Sequence, residues 1–263
     1  DLLAEAGEEV DLVAIHMMHQ SPHRDDTILV ADHYRQDYDR AWEELGEIFA
    51  TVRDKVAEAR DVMKSSGSDA RLAITEGHLS LKPHNKCPIL REWIAGLYHA
   101  RTQNLYVRNA DIVDIATLSD FFGTTWMVNA LMLGSPREAP YLMPAGKIAR
   151  FYQRYMGDYL IEAAVANSSL DIAATRRGNI LVLHIVNTDL HDPQPVSFHV
   201  NGDRVMRAEV TMIAPGSPGA SVYGDEYDPI VEQTITLKVP TDGVMTWHVP
   251  AASVSAVQLH LAD

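Results

Sequence analysis

Residues 71–78, Arg71-Leu72-Ala73-Ile74-Thr75-Glu76-Gly77-His78, join an apolar run of strand length to a carboxylate and then a glycine. A buried strand has few reasons to end in Glu except to present it. In an α/β architecture the loops at the carboxyl ends of the strands hold the chemistry, so Glu76 is a candidate general acid, general base or nucleophile. The competing reading is a strand-end carboxylate that forms a salt bridge or caps a helix, since structural ion pairs also perturb carboxylates. A second set of reactive side chains, His16, His19 and His23, follows the apolar residues 10–15, and Pro22 breaks that pattern into a loop. Neutral imidazoles are good zinc ligands. An i, i+3 pair on a strand-loop boundary lacks a defined facial geometry, however, and no metal is expected. His78 lies just beyond Glu76, and Asp120 caps a further apolar run before Gly123, where an aspartate also serves as a turn former.

The elements that must position these groups follow from periodicity. After residues 10–15, the apolar side chains Trp42, Leu45, Phe49, Val52, Val56, Ala59 and Met63 recur at spacings of three and four, on one face of a long helix that Gly67 ends. The Glu76 strand comes next, then a loop with Pro83 and Pro88, and a second amphipathic stretch through Ile89, Trp93, Leu97, Tyr98 and Leu105. Residues 112–118 read as a third strand, and 126–133 and 147–156 as helical. Three strand-helix units in succession imply parallel strands with right-handed crossovers. Trp42 and Trp93 read as core. From about Leu160 the pattern becomes short β-rich segments, at 170–175, 180–186, 196–200, 208–213, 230–239 and 254–261, with a hairpin signal at Arg176-Arg177-Gly178-Asn179. The expected architecture is α/β in residues 1–159, followed by an antiparallel β-sandwich in 160–263. The loop at 214–219, with Asp225, Glu226 and Asp228 after it, reads as an acidic connection.

Composition narrows the partners. The 22 Lys and Arg against 36 Asp and Glu give a formal charge of -14, which repels nucleic acid phosphates and anionic lipid. No apolar run approaches the ~20 residues of a membrane span. The single cysteine, Cys87, rules out an internal disulfide and a thiolate cluster. The chain opens at Asp1, and residues 2–6 read as a helix tail stopped by Gly7, so it is expected to begin mid-fold.

The order of these motifs resembles the C-terminal half of a glycoside hydrolase family 51 α-L-arabinofuranosidase. Asp11-Leu12-Val13-Ala14-Ile15-His16 is similar to that family's sixth barrel strand, and residues 72–76 to its seventh, whose Glu is the catalytic nucleophile. Ala110-Asp111-Ile112-Val113-Asp114-Ile115-Ala116 resembles the approach to the eighth strand, and Tyr141-Leu142-Met143-Pro144 the segment after it. In the second part, Asp228-Pro229 and Trp247-His248-Val249-Pro250-Ala251-Ala252-Ser253-Val254 resemble the end of its sandwich. The family usually has Asp-Glu-Trp where this chain has Thr75-Glu76-Gly77, and Gln where Asp120 aligns.

The resemblance implies the last three units of a (β/α)₈ barrel followed by a jelly-roll-like sandwich. It implies a retaining glycosidase in which Glu76 forms the covalent glycosyl-enzyme. By their places beside it, His16 and His19 are candidates to hydrogen-bond sugar hydroxyls or to hold the carboxylate, His78 to line the site and Asp120 to bind a hydroxyl, with a satisfied half-buried histidine the competing reading for His16. The substrate would be an arabinose-containing plant oligosaccharide or polysaccharide, with no cofactor. The resemblance also favours a cytoplasmic setting and a homo-oligomer. The family's acid/base Glu follows an Asn at the end of the fourth strand. No strand here ends in Asn-Glu, and Glu92 sits in a helix pattern after Pro88, so the chain is expected to be inactive alone. The alternatives are a β-xylosidase or endoglucanase on the same barrel, a non-catalytic carbohydrate-binding protein, and a zinc hydrolase built on the histidines.

Overall fold

The computed structural model describes residues 3, 5, 9–20, 22, 24–118, 120–134, 139–222, 228–241 and 244–262, and only the backbone of His19 and Gln20. His23, Asp225, Glu226 and most of residues 1–7 lie outside the described residues. The chain divides into two compact units, residues 1–91 with 109–147, and 92–108 with 148–263.

In the first unit β1 (Leu12–Gln20), β2 (Arg71–Ser80) and β3 (Val113–Ala116) form a parallel sheet in the order β1-β2-β3. Parallel neighbours need crossovers, and α1 (Tyr38–Ser66) makes the one from β1 to β2. The Asp37 side chain caps α1 by accepting from Arg40 N, and Gly67 ends it at φ 69°, a left-handed conformation that costs glycine little. Leu45, Phe49, Val52, Val56 and Met63 are buried, as their spacing predicts. Glu44 is buried beside them because Thr27, Ile28 N and Arg40 all donate to its carboxylate.

Three expectations are corrected here. β1 and β2 both run further than the apolar pattern, so His16, His19 and Glu76 lie inside strands rather than at their ends. Residues 17–20 pair with 77–80, and that pairing outweighs the local signal of Gly77. Residues 126–133 are turns and a short strand, not a helix. β4 (Phe122–Gly123), β5 (Leu131–Met132) and β6 (Tyr141–Leu142) form a small sheet there, and Asn129 donates to the Trp126 carbonyl, a local bond that competes with helix formation. Finally, α2 (Trp93–Arg108) is not amphipathic: Trp93, Ile94, Leu97, Tyr98, Asn104 and Tyr106 are buried on different faces, the pattern of a helix enclosed all round.

α3 (Pro144–Tyr155) begins with Pro, whose missing N–H is an unsatisfied position in any helix. A Cβ added at Gly146 would sit 2.1 Å from the Ala130 carbonyl oxygen. Gly146→Ala is therefore expected to cost at least about 2 kcal/mol, read from the urea midpoint, because backbone and not a flexible side chain must move.

The second unit is antiparallel. β7 (Tyr159–Ile161), β8 (Leu170–Arg177), β9 (Ile180–Asn187), β11 (Val205–Ile213), β12 (Glu232–Leu237) and β14 (Ser253–Leu261) make a six-stranded sheet in the order β12-β11-β14-β9-β8-β7, while β10 (Gln194–Phe198) pairs with β13 (Met245–Val249). Phe198, Met245 and Val249 of the small sheet share one core with Ile185, Val210 and Val257 of the large one. The hairpin falls where expected, with Gly178 at φ 56° in a two-residue loop. β7 and β13 escaped the periodicity reading because both are short and β7 exposes Tyr159 and Leu160.

His184 in β9 is fully buried, stacked on Tyr152 of α3 with ring centroids 4.2 Å apart, and neither ring nitrogen has a hydrogen-bond partner. Burial pushes its imidazole down to about 3. Above about pH 6.5 both folded and unfolded states hold it neutral. As pH falls towards 3 the unfolded chain takes the proton first, so this group removes stability at about 1.4 kcal/mol per pH unit. His184→Leu is expected to flatten the acid limb of stability against pH, measured by urea unfolding at pH 7 and pH 4.5.

Candidate active site

The site is built by register. β1 and β2 pair in step from Leu12 with Arg71 to Ile15 with Ile74, and then slip by one: His16 faces Glu76, and Thr75 is the extra residue. Such a bulge changes which side chains share a face. Leu72 and Ile74 lie on a buried face, and in an unbroken strand residue 76 would follow them there. With Thr75 inserted, Leu79 resumes the buried face and Glu76 turns to the other, beside His16.

Two bonds from the end of β3 hold the bulge. Thr117 N donates to the Ile74 carbonyl at 2.9 Å, and Thr117 Oγ1 donates to the Thr75 carbonyl at 2.9 Å. The first continues the β2–β3 ladder past Ala116, and the second satisfies the carbonyl of the residue skipped against β1. Sequence reading missed Thr117, which is one of several polar residues after a short strand and carries no distinguishing local pattern.

His16 Nδ1 lies 3.5 Å from Glu76 Oε2, with the side chains 56% and 29% exposed. Among the described residues His16 is the side chain that the structure sets against the Glu76 carboxylate, an ion pair only when the imidazole carries a proton. Glu76 is thus neither buried nor committed to a tight pair, and its carboxylate keeps lone pairs for another atom. His78, two residues along β2 and so on the Glu76 face, is buried rather than exposed on a loop; it pairs with Met18 across the sheet. His19 pairs with Leu79, and its side chain lies outside the described residues. Asp120 lies past β3 in a separate concavity with Phe122, Thr124, Thr125, Trp126 and Asn129. The structure therefore brings His16 to Glu76, sets His78 on the same face, and puts Asp120 with Phe122 and with Trp126, the first residue of the stretch read as helical. Among the described residues no group of three or more His, Cys, Asp or Glu side chains is arranged to hold a metal ion.

No protein-family model matches this sequence, and no curated protein does. Solved structures do. An arabinose complex of an α-L-arabinofuranosidase from Thermotoga maritima superposes with TM-score 0.66 at 20% identity, covering 99% of this chain and 55% of that one. A family 51 α-L-arabinofuranosidase from Bifidobacterium longum gives 0.67 at 15% identity, covering 98% and 55%. A family 30 endoxylanase from Clostridium papyrosolvens gives 0.54 at 12%, covering 98% and 50%. This chain spans about half the length of these structures, and at such identities the likeness is one of fold. The resemblance drawn from the motifs holds at that level: the chain folds as part of a family 51 arabinofuranosidase does.

The bulge generates a prediction of its own. Thr117→Val removes the hydroxyl donor from a partly exposed carbonyl, so the loss of stability should be about 1 kcal/mol. Amide exchange of Thr117 and Glu76 should quicken while that of β1 and β2 below Ile74 stays slow. Unchanged exchange at both would show that the bulge holds itself.

Proposed function

We propose that this chain carries the nucleophile of a retaining glycoside hydrolase acting on α-L-arabinofuranosides in arabinose-containing oligosaccharides or polysaccharides. The observation that carries the reading is Glu76, half-exposed beside His16 on the central strand of a parallel sheet, in a fold shared with arabinofuranosidases. In this reading β1, β2 and β3 are the last three strands of a (β/α)₈ barrel, residues 1–159 are its catalytic part and 160–263 a β-sandwich. The Glu76 carboxylate attacks the anomeric carbon, the bond to the leaving oxygen breaks, and the glycosyl ester that forms is hydrolysed by water. His16 orients the carboxylate, and His19, His78 and Asp120 contact sugar hydroxyls. The retaining mechanism needs a second carboxyl about 5 to 5.5 Å away to protonate the leaving oxygen; the sequence offers no Asn-Glu strand end for that role, so natural glycosides are cleaved poorly by these residues alone.

An activated leaving group tests the nucleophile without the acid, because dinitrophenolate departs unprotonated. With 2,4-dinitrophenyl α-L-arabinofuranoside the chain should release about one equivalent of dinitrophenol in a burst, and mass spectrometry should find a pentosyl ester on the peptide holding Glu76. Glu76→Ala should abolish both. A burst that survives the substitution, or no adduct on that peptide, sinks the assignment. The same assay with the β-xyloside separates a xylosidase.

A further inference from the structure

The segment between β3 and β5 carries an aromatic surface that the chemistry at Glu76 does not use. Phe121, Phe122 and Trp126 are 64%, 62% and 40% exposed. Phe122 and Trp126 border a concavity of about 390 Å³ that also takes in Asp120, Thr124, Thr125 and Asn129. Exposed aromatic side chains gathered at one concavity mark a contact surface more often than an accident of packing.

The surface is firmly held. Leu131 N donates to the Phe121 carbonyl and Leu133 N to that of Gly123, both at 2.9 Å. Asn129 is buried, donates to the Trp126 carbonyl, and packs so closely on Gly123 that a Cβ there would lie 2.8 Å from its Nδ2. Met127 N donates to the Asn85 carbonyl at 2.8 Å, and the Asn85 side chain accepts from Ser80 Oγ at 2.6 Å. Ser80 is the last residue of β2. The Trp126 ring meets His84 edge-on, with centroids 5.8 Å apart. The aromatic surface is therefore fastened to the end of the strand that carries Glu76.

Its lining discriminates between occupants. A wholly apolar partner would strip water from Asp120, Thr124 and Thr125 without returning hydrogen bonds, which is costly. An anionic one meets Asp120 on a chain of charge -14. A neutral sugar ring offers a C–H face to the negative face of an aromatic ring and a rim of hydroxyls to the carboxylate and threonines. We propose that residues 120–129 form a subsite for a neutral sugar ring of an oligosaccharide, stacked on Trp126 and Phe122 and hydrogen-bonded through Asp120 and Thr124. The choice of a carbohydrate rests on the glycosidase reading above.

Titration of the chain with arabinotriose and with xylotetraose, followed by saturation-transfer NMR and tryptophan fluorescence, tests this. At least one sugar should bind. Trp126→Ala and Phe122→Ala should each weaken that binding about tenfold, the size of a lost aromatic contact, whereas Trp126→Phe and Glu76→Gln should hold it within about threefold. Phe122 is mostly exposed, so its truncation keeps the fold, checked by an unchanged melting curve. Equal affinity in both alanine variants, or no binding of either sugar, overturns the subsite; so does concentration-dependent self-association that Phe122→Ala abolishes, since a second copy would then be the occupant. The two readings fail separately. A dinitrophenol burst without oligosaccharide binding removes only the subsite, while Trp126-dependent binding without a burst removes only the role of Glu76.

Discussion

A strand alternates its faces with a period of two, so a single extra residue reverses every side chain beyond it. The bulge at Thr75 uses this. Before it, Leu72 and Ile74 fill a buried face; after it, Leu79 fills that face again, and Glu76 and His78 take the other. Without the slip, residues 76 and 78 would follow Leu72 and Ile74, and a carboxylate would be driven into apolar surroundings. Everything at the site depends on this displacement, including the distance from His16 and the partial exposure of Glu76.

The second unit answers a different constraint, the burial of polar groups without water. Tyr152 donates to Asn104 Oδ1 at 2.7 Å, and Asn104 Nδ2 donates to the Asp171 carbonyl at 3.0 Å, so an asparagine inside a fully enclosed helix has partners on both its atoms. Arg108 adds a charged bond to Asp171 at 2.7 Å. Among the described residues His184, Tyr106 and Ser255 keep buried side-chain polar atoms without a hydrogen-bond partner; His184 stacks on Tyr152, and burial holds it neutral.

Much of the architecture is legible in short-range pattern. The three- and four-residue spacing from Leu45 to Met63, the glycine after α1, and the alternation of Val257, Leu259 and Leu261 each report a face that packing then buries. What stays hidden is set by partners distant in sequence. Nothing between Arg71 and Ser80 says that β1 will continue beside it, so Gly77 reads as a stop. Nothing at Thr75 says it will be skipped in the ladder, since the skip exists only against β1 and Thr117. Residues 126–133 read as helical, but Ala130 N bonds the Asp120 carbonyl and Leu131 N that of Phe121, pairings that no local period announces. Glu76 itself could be picked out because its chemistry is unusual for an apolar run, whatever the register.

The contact between His16 and Glu76 adds little to the stability of the sheet. An ion pair as exposed as His16–Glu76 contributes about 0–1 kcal/mol. Presenting it requires a bulge that leaves Thr75 outside the β1 ladder, its carbonyl bonded by the Thr117 hydroxyl. That hydroxyl returns a bond of about 1 kcal/mol, so the bulge sets Glu76 on the face of His16 at little cost to the sheet. The result is a partly exposed carboxylate beside one imidazole, the arrangement on which the proposed role of Glu76 rests.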